Sequence, residues 1–287
     1  MQAPDPRIVP LLVGSSLGSG HGSFAFCSVV GVQAVARDGQ PRRIVVDTGH
    51  VGTRRRLLAA LEEAGLAPAD VDSVVLTHAH WDHSQNVDVF PGAEIVISAA
   101  ELDYIERPHA RDFATPAWTK YLFADRRVRS VRDGDEILPG VTVVAAGGHS
   151  AGSIAVAVEA AAGVALITGD AVPDAESARR RRTRLVFWDL AQADASAARL
   201  VDLADVVYPG HDRPFRVADG QTEYLSAFSF TLTGVARDDP GLRAEPAGPF
   251  TGPEDLTAPA DGPRRRRDGW LPDDVASIDE EVDAGHE

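Results

Sequence analysis

Three histidines and an aspartate crowd six consecutive positions of this chain, in the run Thr77-His78-Ala79-His80-Trp81-Asp82-His83. The run follows directly on the apolar Val74-Val75-Leu76, which places it at the end of a strand. Residues two apart on an extended segment share a side, so His78 and His80 can converge on one ion. Once the chain turns, Asp82 and His83 can face a second. Neutral imidazole and carboxylate suit zinc, and the same donors admit iron or manganese. Four side chains cannot fill two metal sites, so the remaining ligands have to come from elsewhere in the sequence.

Three later positions offer them. His149 stands in Gly147-Gly148-His149-Ser150-Ala151-Gly152, after the apolar segment 141–145. Asp170 closes Thr168-Gly169-Asp170 at the end of 164–168, and His211 lies in Pro209-Gly210-His211-Asp212 after 206–208. Each position is a strand-terminal loop, and loops at one edge of a sheet sandwich can gather ligands from distant positions. The surrounding rhythm agrees. Segments 8–13, 24–35, 44–46, 72–76 and 94–97 read as strands, with helices over 53–64 and 99–107. Strands at 141–145, 154–158, 164–168 and 205–208, with a helix over 195–203, follow in a second half that begins near residue 130. Alternating short strands and helices predict a layered α/β or α+β domain.

These elements together resemble the metallo-β-lactamase superfamily: His-x-His-x-Asp-His, then a Gly-His, a Gly-Asp and a Gly-His, in the family's order over about residues 8–218. The resemblance implies an αβ/βα four-layer sandwich, with two mixed sheets face to face and helices outside. It implies two zinc ions, the first held by His78, His80 and His149, the second by Asp82, His83 and His211, with Asp170 bridging. Asp47 in Val46-Asp47-Thr48-Gly49 matches the family's early strand-end aspartate and is expected to hydrogen-bond the ligand loop. Trp81 is similar to the glyoxalase II branch, and Tyr208 to Arg216 look like the lactonase and general-hydrolase branches. Ser150-Ala151-Gly152 replaces the more usual Thr-Pro-Gly, and Ser84-Gln85-Asn86 stands where many relatives carry small residues. The implied activity is hydrolysis of an ester or lactone by a metal-bridging hydroxide, with Asp82 also the catalytic proton carrier. A thioester is the alternative substrate, then a β-lactam; a nuclease or a di-iron redox role ranks below these.

Composition narrows the partners. The net charge of −15 argues against a general nucleic-acid or anionic-membrane binder, leaving a small carbonyl compound as the expected substrate. Hydrophobic residues at 44% suffice for a core. Cys27 is the sole cysteine, so no intrachain disulfide forms, and its apolar surroundings predict a core position. With no secretory pattern in residues 1–19 and no apolar run long enough to span a membrane, the expectation is a cytoplasmic monomer or homodimer. Near residue 238 the chain turns Pro-, Gly- and acid-rich; we divide it into a hydrolase domain, 1–237, and an arm or tail, 238–287, with Trp270 in an apolar cluster of its own. Weaker candidates for substrate contact are His21 in a glycine-rich loop, Arg179 and Arg182 in a basic run, and Tyr121. The bland readings are a solvated loop for His21, a solvated face for the arginines, and core packing for Trp118, Tyr121 and Phe123.

Overall fold

The computed structural model describes residues 4–16, 18–19, 22–23, 25–160, 163–183, 186–218 and 220–227. The boundary drawn at residue 238, the acidic arm and Trp270 lie outside these residues, as does His21.

The first half of the chain builds one sheet from β1 (Arg7–Leu12), β4 (Val29–Val35), β5 (Pro41–Val46), β6 (Ser73–Val75), β7 (Glu94–Ser98) and β8 (Val128–Val131), in that spatial order. A two-residue ribbon, β2 (Gly18–Ser19) with β3 (Gly22–Ser23), stands beside it in sequence. Pairing is antiparallel from β1 to β5 and parallel from β5 to β8. Parallel neighbours require crossover connections. These carry α1 (Arg54–Glu63), the single turn α2 (Trp81–Ser84) and α3 (Ala99–Glu106).

The second half builds a seven-stranded sheet from β9 (Glu136–Leu138), β10 (Val141–Ala145), β11 (Ile154–Ala160), β12 (Gly163–Gly169), β13 (Val206–Pro209), β14 (Phe215–Ala218) and β15 (Gln221–Tyr224). Only β12 and β13 are parallel, and their crossover holds α4 (Ala175–Arg180) and α5 (Leu190–Leu203). The chain passes between sheets after Val131 and before Glu136, where the two sequence rhythms meet.

Side-chain parity sorts the core into layers. Ile44, Val46, Val75 and Val96 point to one face of the first sheet, against Val141, Val143, Ile154, Val156 and Ile167 of the second. Their immediate neighbours Val45, Val74, Ile95 and Ile97 point to the other face, where Leu57, Leu61 and Ile105 of the helices cover them. Leu166 and Val207 of the second sheet bury likewise against Ala178, Ala197 and Leu200. Successive strand residues face opposite sides, so strands buried on both faces read as unbroken apolar runs. The result is the expected αβ/βα four-layer sandwich. No helix among the described residues is long and apolar enough to cross a membrane.

Three local expectations change. The strand expected from Phe24 begins at Val29, because Cys27 and Ser28 are drawn away: Ser28 N–H donates to Gly210 O at 2.6 Å and Gly14 N–H to Ser28 Oγ at 3.0 Å. The helix expected from Ala195 begins at Leu190, because Asp189 caps it by accepting from Gln192 N–H at 2.6 Å. Trp118 and Tyr121 do not pack in the core; they are 41% and 69% exposed. A five-residue 3-10 turn, Thr119–Phe123, has a single inner side, and Thr119 and Phe123 take it.

Candidate metal centre

The seven residues picked from the sequence meet where strand ends of both sheets abut. Donor atoms of His78, His80, His149 and Asp170 lie within 4.8 Å of one another, and those of Asp82, His83 and His211 form an adjoining group. His78 and His80 leave the end of β6 on an extended segment, and α2 then turns Asp82 and His83 inward. His149 follows β10, Asp170 follows β12 and His211 follows β13. Asp170 joins the groups: its Oδ2 is 3.4 Å from His149 Nε2, and its Oδ1 is 3.3 Å from His83 Nε2 and 3.1 Å from His211 Nε2. Asp82 Oδ2 lies 3.4 Å from His211 Nε2 and 3.7 Å from His83 Nε2.

The surrounding hydrogen bonds orient the rings of three of the histidines. His83 Nδ1–H donates to Asp47 Oδ2 at 2.8 Å. His211 Nδ1–H donates to Phe26 O at 3.1 Å. The Thr77 hydroxyl donates to Asp47 Oδ2 at 2.8 Å and accepts from His78 Nδ1–H at 3.1 Å. All three rings therefore aim Nε2 at the cluster. His80 is turned the other way: its Nδ1 meets His149 Nε2 at 3.0 Å, and its Nε2 lies 3.5 Å from Asp112 Oδ2.

The fit to cations rests on what is left without a partner. Nε2 of His78 and His83 and Oδ1 of Asp170 are buried without a hydrogen bond. A buried polar atom left so costs about 1–3 kcal/mol, and a divalent cation removes several such penalties at once. Oxygen and imidazole donors in groups of four and three, with Asp47, Thr77 and Phe26 O orienting three of the rings, fit a pair of such ions.

Burial and charge act in opposite directions here. Burial holds the His78 imidazole well below its ordinary value, and the neighbouring histidines push the same way. Burial pushes the Asp170 carboxyl up, but His211 and His83 outweigh it and hold the group well below the usual carboxylate range. Burial opposes protonation of His211, yet Asp170 and Asp82 beside it raise its value.

Several supports carry no mark in the sequence. Glu101, fully buried on α3, accepts from Ala79 N–H at 2.9 Å through Oε1. Its Oε2 accepts from Gly152 N–H at 2.9 Å and from the Ser150 hydroxyl at 2.7 Å. One carboxylate thus ties the His78–His80 segment to the His149 loop, and the serine that departs from Thr-Pro-Gly is one of its donors. Asn86, another departure, donates its amide to Thr48 O at 3.0 Å and His50 O at 2.8 Å, pinning the loop after Asp47. Asp112 faces His80 and accepts from the Tyr104 hydroxyl at 2.8 Å. Phe187, fully buried, sets its ring edge-on to His80 and His149 at centroid distances of 4.8 and 5.5 Å. The only signal for Glu101 and Asp112 is that they are carboxylates, and carboxylates are abundant here. Gly169 supports the site from below: its φ is +51°, and a Cβ there would fall 2.4 Å from Thr77 Oγ1.

The structure gives Arg179, Arg182 and Tyr121 partners of their own. Arg179 donates to Thr222 Oγ1 at 2.9 Å and pairs with Glu176, and Arg182 is 3.4 Å from Asp194. The basic run is a solvated face of α4 and its flank, satisfied by acids on the same surface. Tyr121 holds Lys120 Nζ 5.6 Å from its ring centroid. Cys27 is buried as expected, but in company with Asp47 and His83. Burial pushes its thiol up to about 11.

Two packed mixed sheets carrying a His/Asp cluster on their strand-end loops define the class: an αβ/βα sandwich with a candidate dinuclear centre. The profile of the metallo-beta-lactamase superfamily matches residues 30–211, and the chain belongs to that superfamily. The human metallo-beta-lactamase domain-containing protein 1 is 33% identical over 189 residues, covering 65% of this chain and 64% of the relative. The chain thus spans less than two thirds of that relative's length. An N-acyl homoserine lactonase of Bacillus cereus is 24% identical over 162 residues, 55% of this chain and 62% of the relative. A B. thuringiensis AiiA mutant, solved with N-decanoyl-L-homoserine bound at the active site, superposes with a TM-score of 0.57 at 18% identity. That likeness covers 74% of this chain and 94% of the other.

Proposed function

We propose that this chain is a metal-dependent hydrolase of small ester or lactone substrates, with zinc as the resident metal. The observation that carries the reading is the convergence of buried His and Asp donors on one pair of adjoining sites, with Nε2 of His78 and His83 and Oδ1 of Asp170 left without a hydrogen bond. His78, His80 and His149 would hold one ion, Asp82, His83 and His211 the other, with Asp170 between them. When bound, two such ions supply Lewis acidity that acidifies water and polarises a carbonyl.

The chain's own groups do the rest. Asp47, Thr77 and Phe26 O hold three imidazoles with Nε2 inward. Asp82, which turns Oδ2 to His83 and His211, leaves Oδ1 to carry a proton to the departing alkoxide. Phe187 sets its ring edge-on to His80 and His149 and holds them in place. The lactonase name of the B. cereus relative supports a cyclic ester among the candidates.

Metal analysis of the purified chain, with turnover of an acyl homoserine lactone, an aryl ester, a thioester and a cephalosporin, tests this. We expect about two zinc ions per chain, turnover of the lactone or ester, and loss of that turnover in His80→Ala and Asp82→Ala variants that still fold. Two iron ions without hydrolysis would replace the reading with a redox one, and absence of bound metal would reject it.

A further inference from the structure

We propose that Phe113 is a specificity residue, its exposed ring receiving the apolar part of the substrate beside the metal centre. The inference rests on the hydrolase reading above for its setting, and on three observations for its content.

The first is position. The Phe113 ring lies 5.4 Å from Phe187, edge to face, and Phe187 in turn abuts His80 and His149. One ring therefore separates Phe113 from two candidate ligands. The second is rigidity. Phe113 sits between Asp112 and Ala114, both buried. Ala114 and Thr115 N–H donate to Asp112 Oδ1 at 2.8 and 3.1 Å, Tyr104 donates to Oδ2, and Trp81 N–H donates to Ala114 O at 3.0 Å. The loop that presents the ring is fastened both to the helix holding Glu101 and to the His-rich segment itself. The third is exposure: Phe113 is 68% exposed although both neighbours point inward. Trp188, the residue after Phe187, is 47% exposed and stacks edge-on against Tyr104 at 5.7 Å. Two exposed aromatics on two pinned loops, joined through a buried ring that touches the candidate ligands, form an apolar lip rather than a scattered surface phenylalanine. Rigid rings of this kind bind apolar groups with little ordering cost.

The test compares wild type, Phe113→Ala and Phe113→Trp in the full chain on N-butanoyl and N-decanoyl homoserine lactones. The expected result is that Phe113→Ala lowers kcat/KM for the decanoyl substrate about tenfold more than for the butanoyl one, through KM, and that Phe113→Trp restores the preference. An exposed ring leaves the melting temperature of both variants near wild type, which separates specificity from folding. Calorimetric binding of N-decanoyl-L-homoserine to each protein gives a readout independent of turnover, expected to be about tenfold weaker in Phe113→Ala. Equal affinity of wild type and Phe113→Ala overturns the inference even if the enzyme hydrolyses lactones. Weaker binding without any turnover upholds the role of Phe113 and rejects the hydrolase reading instead.

Discussion

Asp47 and His83 are bonded at 2.8 Å through Oδ2 and Nδ1, and the other oxygen of Asp47 accepts Thr77 N–H at 2.8 Å. The aspartate holds a left-handed backbone, φ +57°, to do this. Residues other than glycine adopt that conformation at a cost, and aspartate and asparagine do so most readily.

Asp47→Asn keeps the shape and the backbone tolerance but weakens the acceptor that orients His83. The expected outcome is a loss of metal affinity of about 10- to 100-fold, the range for outer partners of metal ligands. Competition with a chromophoric chelator measures it, and the loss should fall on one of two sites.

Glu101→Gln should destabilise the fold by about 2–4 kcal/mol. An amide NH2 would face either Ala79 N–H or the Gly152 N–H and Ser150 donors, leaving a buried donor against a donor. Urea unfolding of metal-free and metal-loaded protein gives the number, and the two should differ, because the lost tie joins two ligand loops.

Gly148→Ala should cost about 2–3 kcal/mol. Gly148 has φ +128°, and a Cβ there would lie 2.2 Å from Ala193 N in the first turn of α5. The His149 loop and that helix would have to part. A lowered melting temperature together with weaker metal binding is the expected pair of readouts.

Cys27 should resist alkylation at pH 8 until the protein unfolds. Burial raises its thiol to about 11, against about 8.5 in an unfolded chain. The folded state prefers the protonated thiol, so this contribution to stability is complete below about 8.5 and is lost as the pH rises through about 11. Iodoacetamide labelling against urea should track the unfolding curve, and Cys27→Ala should flatten the alkaline fall in stability.

The acidity of residues 238–287, the single cysteine and the strand–helix rhythm are legible in the sequence, because each is a property of composition or local periodicity. So are the seven candidate ligands. Histidines and aspartates placed directly after apolar strands are unusual enough, in that spacing, to mark themselves. Asp47 is matched only through family pattern, since one aspartate in 287 residues carries no spacing signal of its own.

Which side chains form the His/Asp cluster, and which faces of the strands are apolar, is therefore written in the order of residues along the chain. How those side chains are held is settled by the closed fold. Glu101 lies 51 residues from Gly152 and Asp112 lies 32 from His80; nothing local links them, and each becomes meaningful only when two loops are brought to hydrogen-bonding distance. The same holds for exposure. Phe113, Trp118 and Tyr121 look alike as aromatic residues in an irregular stretch, and no period sorts them. Packing against Phe187 sets Phe113 one ring away from His80 and His149, while Tyr121 is exposed with Lys120 Nζ over its ring. Hydrophobic pattern resides in neighbouring residues, whereas the second partner of a hydrogen bond across two sheets exists only once tertiary packing has brought the sheets together.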